Sequence, residues 1–332
     1  MTFRKLPFFV FFFLVSATFS LAYENDPQRD EYEGQEWGRQ SEEEGPYLFN
    51  QEKLSKHLEN PYLFKQENFS THLKTQQGNL QVLQKFDQGS HLLRILDNYR
   101  IEYLEINPNT FTLPNHWDAD SICFVLSGQG AITLLQQENN KETHNLERGD
   151  IFSIRANTIL FVVNTDNNEK FRVVKLCQPV NVPGQFDGFF STGGRNPETF
   201  YSIFSKDILQ AAFNDVEGEQ IMGLFQAQDK GPYVEASQEQ IKALSGESSD
   251  DQQGIPESSQ SNKPYAYNIF NTERPSTVSN KYGKRYIVSP DDYKQLEEAD
   301  IQISYTNITR GAMVGPYYNS KSIQICMVVN GN

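Results

Sequence analysis

Short runs of apolar and β-branched residues, separated by turn residues, dominate the chain from Asn79 to Gln178. Such runs are typical of strands, because successive side chains of a strand point to opposite faces of a sheet. The predicted strands are Leu80–Phe86, Tyr99–Ile106, Thr110–Leu113, Ser121–Leu126, Ala131–Gln136, Glu142–Asn145, Asp150–Ile154, Leu160–Asn164 and Phe171–Gln178. Many short strands without long helices between them indicate an all-β antiparallel sandwich or jelly-roll barrel.

Helical patterns occur only after residue 195, as appended helices. Asn196-Pro197-Glu198 predicts a helix start leading into Thr199–Ser205, with proline near the first helical position. Lys206–Asn214 and Glu217–Gln226 carry apolar residues at helical spacing. Ser237-Gln238-Glu239-Gln240 predicts a capping box at the start of a short helix that ends at Leu244.

Residues 245–262 are rich in Ser, Gln and Asp and predict an exposed acidic linker. Strand patterns return at Tyr265–Phe270, Lys284–Val288, Ile301–Thr306 and Ile323–Asn330. Because the last strand would lack pairing partners, we expect a second barrel that is incomplete, in a fragment or a truncated product. The predicted domains are an N-terminal barrel at 60–195, a helical extension for subunit contacts at 196–244, the linker, and the start of the second barrel at 263–332.

The first 22 residues have the pattern of a signal peptide. Arg4 and Lys5 precede the apolar run Leu6–Phe19, and small residues at Ser20 and Ala22 suit a cleavage site. The run is shorter than the roughly 20 residues that span a bilayer. We therefore expect cleavage after Ala22, entry into the secretory pathway and no stable membrane span.

Residues 23–59 are polar and acidic and predict a disordered arm. A short segment is duplicated at its end: Pro46-Tyr47-Leu48-Phe49-Asn50-Gln51-Glu52 recurs as Pro61-Tyr62-Leu63-Phe64-Lys65-Gln66-Glu67. A His-Leu pair follows each copy, at His57-Leu58 and His72-Leu73. Two copies are too few for a solenoid, so the pattern indicates a local duplication.

Charge and cysteine content narrow the function classes. The formal net charge of −14, from 43 acidic and 29 basic residues, argues against nucleic acid or an anionic membrane as partner. Cys123, Cys177 and Cys326 are odd in number and far apart, which fits neither a disulfide framework nor a zinc site, so we expect buried free thiols at the first two. Asn68 and Asn307 begin glycosylation sequons.

The order of motifs between residues 108 and 164 resembles a cupin barrel. The carrying residues are Pro114-Asn115-His116-Trp117-Asp118, Gly128-Gln129-Gly130 and Glu147-Arg148-Gly149-Asp150. Across residues 46–332 the chain resembles the vicilin-type (7S) seed storage globulins, two-barrel cupins, and within them the sucrose-binding-protein-like branch. This resemblance rests on Asn60–Phe64, Val82–Phe86, Leu113–His116, Asp118–Asp120, Asn145–Asp150, Pro179–Phe186, Gly194–Glu198, Ser279–Lys284, Thr306–Thr309 and Tyr318–Ser320.

The resemblance implies a bicupin that is stored in the seed protein-storage vacuole and assembled as a homotrimer, or as a hetero-oligomer with other vicilin subunits, through the helices after each barrel. Secretion to the cell exterior is the alternative location. The implied function is a nutrient reservoir that supplies nitrogen on germination.

Most ligand positions of the cupin metal pattern hold other residues. Only His116 stands where a ligand is expected. The remaining positions are held by Asp118, by Ile122 and Cys123, and by Leu160, while Arg155 and Asn157 replace a proline and a glycine, and Tyr317 replaces a histidine in the second module. A mononuclear metal site needs three or four converging N or O ligands. We therefore expect no metal, no cofactor and no enzyme activity; a Gly-x-Ser-x-Gly nucleophile elbow is also absent from the sequence.

Two functions stay open from the residues alone. The first is storage without a catalytic site. The second is a sugar-binding module for a ligand such as sucrose, in which Trp117 stacks on the sugar and Asp118 and Asp120 accept its hydroxyls. For Trp117, packing at the barrel rim is the favoured interpretation, and for His116 a hydrogen bond to a neighbour at the barrel mouth.

Overall fold

The computed structural model of the chain describes residues 10–18 by their backbone, and residues 60, 62–135, 141–214, 216–228, 230–246, 265–271 and 276–331 in full. The predicted arm at 23–59 lies outside these residues, and so does most of the predicted linker. Strands dominate the described ranges. The predicted all-β fold with appended helices is therefore confirmed.

An antiparallel barrel forms the N-terminal part of the chain, as two sheets that enclose a common interior. Its strands are β2 Phe69–Lys74, β3 Gly78–Leu83, β4 Arg100–Ile106, β5 Thr110–Thr112, β6 Asn115–Trp117, β7 Ala119–Ser127, β8 Gln129–Leu135, β9 Lys141–Glu147, β10 Asp150–Ile154, β11 Ile159–Asn164, β12 Phe171–Pro179, β13 Gly188–Phe190, β14 Tyr233–Glu235 and β15 Tyr267–Asn268. One sheet has the order β15-β10-β7-β12-β4-β3-β2, and the other contains β13-β6-β11-β5-β14 with β8 and β9.

Alternation along β7 shows why these residues form strands. Ser121, Cys123 and Val125 are buried towards the barrel interior, whereas Ile122 and Phe124 face the opposite side. The turn into β8 requires Gly128, which has φ +80°, and a Cβ there would lie 2.6 Å from the Lys170 carbonyl oxygen. The backbone geometry of this turn is one that L side chains rarely adopt.

The helices are short. They are α1 Phe86–Gly89, α2 Lys206–Ala212, α3 Gly218–Gln226 and α4 Gln238–Ser245, with 3-10 helices at Gln66–Asn68, His91–Leu96, Phe200–Ile203 and Lys294–Leu296. The predicted capping box of α4 is confirmed: the Gln240 N–H donates to the Ser237 hydroxyl, and the Ser237 N–H donates to the Gln240 side chain. No helix of the described residues is long and apolar enough to span a membrane.

The predicted helix start at Asn196-Pro197-Glu198 is wrong in position. Thr199 is the N-cap of a 3-10 helix, because its hydroxyl accepts the Tyr201 N–H at 3.3 Å. The segment after the barrel also returns to it, since β14 pairs with β5, and β15 pairs with β10. Residues predicted as helical extension and as second barrel therefore complete the edges of the first barrel.

A third sheet contains the strands of the second module. Its order is β16-β17-β18-β1-β19, with β1 Val10–Thr18, β16 Val278–Asn280, β17 Gly283–Val288, β18 Ile301–Ile308 and β19 Ser322–Asn330. Strand β1 lies within the predicted signal peptide and pairs with β18 on one side and β19 on the other. The third sheet packs on the outer face of the β7-β12-β4 sheet, where Phe124 and Leu176 meet Ile301 and Ile303 in one apolar core.

Candidate functional site

His116, the one residue kept at a metal-ligand position, packs among aromatic rings. It lies in β6 opposite Phe189 of β13, and the two rings stack with centroids 4.9 Å apart and planes at 15°. Burial lowers the pKa of the imidazole, and the nearby Asp118 opposes this only in part, so the neutral ring predominates at pH 7. Nδ1 is buried and has no hydrogen-bond partner among the described residues. The stack on Phe189 is the main contact of the ring, and the predicted hydrogen bond to a neighbour stays a prediction.

Two of the other ligand positions line the barrel interior with apolar or weakly polar atoms. Cys123 and Leu160 face a cavity of about 60 Å³ in the barrel interior, whereas Ile122 points to the opposite face of its sheet. Such a volume has room for only a few water molecules. Within the described part of the chain, no group of three or more His, Cys, Asp or Glu side chains is placed to hold a metal ion. The residues present at these positions do not fit the cupin metal.

In the second module, Tyr317 is exposed, and its hydroxyl forms a hydrogen bond with the Gln324 side chain. The Arg285 guanidinium lies 6.0 Å from the centre of its ring. This tyrosine is thus held by surface contacts, at the position where the cupin pattern has a histidine.

Trp117 packs against the barrel interior. Its indole N–H donates to Asn115 Oδ1 at 2.8 Å, and Lys175 Nζ lies 5.3 Å from the ring centre, at cation–π distance. Three further rings surround it with centroids 5.9–6.2 Å away: His72, Phe186 and Phe190. Gly188 makes room for the indole, because a Cβ there would lie 2.6 Å from it. These contacts support the interpretation of Trp117 as a packing residue.

Asp118 and Asp120, at the start of β7, anchor different loops. Asp118 is buried; its Oδ1 accepts the Asp187 N–H at 2.7 Å, and its Oδ2 accepts the Asn181 amide at 3.1 Å. Asp120 Oδ1 accepts the Ala156 N–H at 2.9 Å. Trp117 lines the cavity in the barrel interior, whereas neither carboxylate does. Contact of these residues with sucrose stays a prediction.

The barrel interior holds a buried ion pair that the sequence interpretation missed. Glu102 of β4 is opposite Lys175 of β12, and the ammonium contacts Oε2 of the carboxylate. The exposed fraction of the side chain is 1% for Glu102 and 11% for Lys175. Glu102 Oε1 has no hydrogen-bond partner among the described residues. The signal that would have found the pair is the alternation along each strand, in which Glu102 shares a face with Leu104 and Ile106, and Lys175 shares a face with Phe171 and Val173.

Two thiols accompany this pair. Burial alone lowers the pKa of the Lys175 ammonium, but Glu102, with Cys177 and Cys123, raises it above its ordinary value overall. Burial raises the pKa of Cys123 to about 12 and that of Cys177 well above its ordinary value. At neutral pH the ammonium is therefore charged and both thiols are protonated. A protonated thiol is a poor nucleophile.

We expect Ellman's reagent to label one of the three cysteines in the native chain at pH 8 and all three after unfolding in guanidinium. Cys123 and Cys177 are 0% and 1% exposed, whereas Cys326 is exposed on β19. Desolvation of its sulfur raises the pKa of Cys326, so its reaction is slower than that of a free thiol. A Cys326→Ser chain is the control and should lose the native reaction. Any reactive thiol in that control before unfolding would contradict the buried positions of Cys123 and Cys177.

The two predicted glycosylation asparagines lie in ordered elements. Asn68 ends a 3-10 helix, where its Oδ1 accepts the Lys65 N–H at 2.6 Å and its Nδ2 donates to Gln84 Oε1 at 3.2 Å. Asn307 is half-buried in β18, which lies between β17 and β1. Glycan attachment at either residue stays a prediction.

Comparison with known proteins identifies the family of this fold. The sequence profile described as Cupin matches residues 100–213 and 267–332. A protein of Macadamia integrifolia named as vicilin-like antimicrobial peptides 2-3 is 42% identical over 92% of this chain and 46% of its own length. A vicilin of Corylus avellana is 42% identical over 87% of this chain and 60% of its own length. The chain thus spans about half the length of the curated relatives it matches.

Solved structures agree. The crystal structure of the hazelnut vicilin, from Corylus avellana, has a TM-score of 0.71 and 36% identity, covering 82% of this chain and 79% of that one. The vicilin of Solanum melongena has a TM-score of 0.67 and 37% identity, covering 76% of this chain and 64% of that one. The shared barrel, the profile and these identities show that the chain belongs to the vicilins, within the cupin family.

Proposed function

We propose that this protein is a seed storage globulin, a nutrient reservoir that is assembled as a trimer and degraded on germination. The observation that carries the proposal is the similarity to vicilins in both sequence and fold over most of the chain. Placement nearest the sucrose-binding-like branch belongs to the same proposal.

The barrel interior supports a function without catalysis. The ligand positions hold Leu160 and a protonated Cys123, and His116 is stacked on Phe189. The buried charges of Glu102 and Lys175 form an ion pair with each other. General acid–base or nucleophilic chemistry needs a titratable group within hydrogen-bonding reach of a substrate. The described cavity of about 60 Å³ is too small for a sugar.

The appended helices support the trimer. Ile203, Ile208 and Leu224 are 79%, 56% and 76% exposed on the segment that contains α2 and α3. Clustered large apolar side chains at a surface mark sites of protein contact. This apolar helical surface is the proposed contact between subunits, as a homotrimer or with other vicilin subunits. We propose that residues 1–22 direct the chain into the secretory pathway and that it is packed in the protein-storage vacuole.

Protein purified from mature seed is expected to have three times the mass of one chain by light scattering, and to disappear from storage vacuoles during germination. An antibody against the chain, applied to vacuole fractions before and after germination, measures the loss. A housekeeping vacuolar protein is the control for recovery. A constant amount through germination, or accumulation in vegetative tissue instead of seed, would overturn the storage function.

A further inference from the structure

The duplicated segment has no role in the function proposed above. Its two copies, Pro46–Glu52 and Pro61–Glu67, differ only at Asn50 and Lys65. The second copy is described from Tyr62 onwards, and the first lies outside the described residues. The contacts of the second copy show what this sequence does on the barrel surface.

The second copy seats its phenylalanine on the barrel. The Phe64 ring meets Phe86 edge-on, with centroids 5.5 Å apart and planes at 89°. Gly89 provides the space, because a Cβ there would lie 2.8 Å from the Phe64 ring. A turn before this residue is fixed by Asn60, whose side-chain oxygen accepts the Tyr62 N–H at 3.0 Å. The segment Pro-Tyr-Leu-Phe therefore presents an aromatic side chain to an apolar seat.

An apolar groove lies directly beside this seat. It has a volume of about 560 Å³, in the range of ligand-binding pockets, and lies between the second copy, the 3-10 helix His91–Leu96 and strand β19. Ile325 and Met327 contribute to its β19 wall. Leu63, Leu92 and Ile95 line it and are 61%, 58% and 58% exposed. An apolar patch of this kind marks a surface that receives a partner.

We propose that this groove is the docking site of the first copy, Pro46–Glu52, of the same chain. Its Tyr47, Leu48 and Phe49 are the same side chains that already line the groove in the second copy. The ten residues Asn50–Glu59 connect Phe49 to Asn60 and reach roughly 33–36 Å when extended. The first copy is thus tethered within reach of the groove, which raises its effective concentration there.

The residues that flank the two copies differ, which fits one copy fixed on the seat and the other docked in the groove. Asn60 and Asn68 fix the turns around the second copy, whereas Gly45 and Lys53 hold the corresponding places around the first. The first copy lacks these side-chain caps but keeps the apolar residues. Docking would cover Leu92 and Ile95.

Disulfide trapping tests the proposal, because the native Cys326 lines the groove. In a full chain that carries Phe49→Cys, mild oxidation is expected to link residue 49 to Cys326 at least tenfold faster than in a chain that carries Glu43→Cys. The control thiol lies on the same arm but outside the repeat. A disulfide needs Cα atoms within about 7 Å, so the rate reports proximity. Equal rates for the two variants would overturn the proposal.

Two further readouts distinguish other occupants. Covalent dimers through Cys326 in place of the internal link would assign the groove to a second copy of the chain and overturn docking in cis. A full chain with Leu48→Asp and Phe49→Asp is expected to bind several-fold more of the apolar dye ANS than the parent chain, and Glu42→Asp with Glu43→Asp to bind the same as the parent. If the parent and the Leu48→Asp/Phe49→Asp chain bind equal dye, the groove is open to small apolar molecules and the proposal fails.

Discussion

Replacing Lys175 by methionine is expected to lower the free energy of unfolding by about 3–5 kcal/mol, the cost of removing one partner of a buried ion pair. The change leaves the Glu102 carboxylate in the barrel interior without a counter-charge, with a side chain that is 1% exposed. It also removes the ammonium that lies over the Trp117 ring. Guanidinium unfolding at pH 7, followed by circular dichroism, measures the effect.

Two further variants separate the effect of burying the ion pair from the effect of removing a charge. Lys170→Met removes an ammonium from Glu105 at 2.6 Å, but this pair is partly exposed and Glu105 keeps Arg172, so the expected loss is below about 1 kcal/mol. Glu102→Leu combined with Lys175→Met removes both buried charges, and its stability is expected to return to within about 1 kcal/mol of the parent. If Lys175→Met costs no more than Lys170→Met, the pair does not stabilise the barrel.

The strands of the barrel could be predicted because their signal is local. Ser121, Cys123 and Val125 alternate with outward residues, and Gly128 marks the turn that follows. The capping box at Ser237 is local in the same sense. The start of the helical segment at Thr199 was misplaced, because Pro197 suits several positions and the hydrogen bond from Tyr201 decides between them.

The candidate site also combines features that the local sequence predicts with features that depend on the tertiary structure. The loss of metal ligands is a matter of residue identity at spaced positions, so the sequence predicts it. The partners of Asp118 and Asp120 depend on where the loops at Asn181 and Ala156 return to the barrel, which no local pattern encodes. The pair of Glu102 and Lys175 depends on the register of β4 against β12. A register of this kind is set by the whole sheet.

The side chains in the barrel interior affect how a metal site could be restored in this fold. A cupin metal would be held by side chains from several strands, and here Lys175 and Trp117 line the same cavity as Cys123 and Leu160. Restoring a single ligand, for example by Leu160→His, would place one imidazole in the cavity that Lys175 and Cys123 also line. That is short of the three or four ligands that a mononuclear metal site needs.

Removal of residues 1–22 is expected to make the backbone amides of β18 and β19 exchange with solvent on the order of a hundredfold faster. Each of these strands pairs with β1 along eight residues. In the pair with β18, Val10 lies opposite Ile308 and Ala17 lies opposite Ile301. Without β1, β18 becomes an open edge and β19, already at the edge of the sheet, loses its partner strand. Each lost hydrogen bond costs roughly 1 kcal/mol. Exchange measured by mass spectrometry on a chain that begins at Tyr23 tests this.

Proline variants of the full chain provide matched controls for this prediction. Leu14→Pro removes an N–H from the middle of β1, which a central strand does not tolerate, so exchange in β18 and β19 should rise as it does in the truncated chain. Thr2→Pro lies outside β1 and should leave exchange unchanged. Strands β7 and β12 of the barrel should stay protected in all three chains, because their hydrogen bonds do not involve β1. Equal protection of β18 and β19 with and without residues 1–22 would show that β1 does not hold the third sheet together.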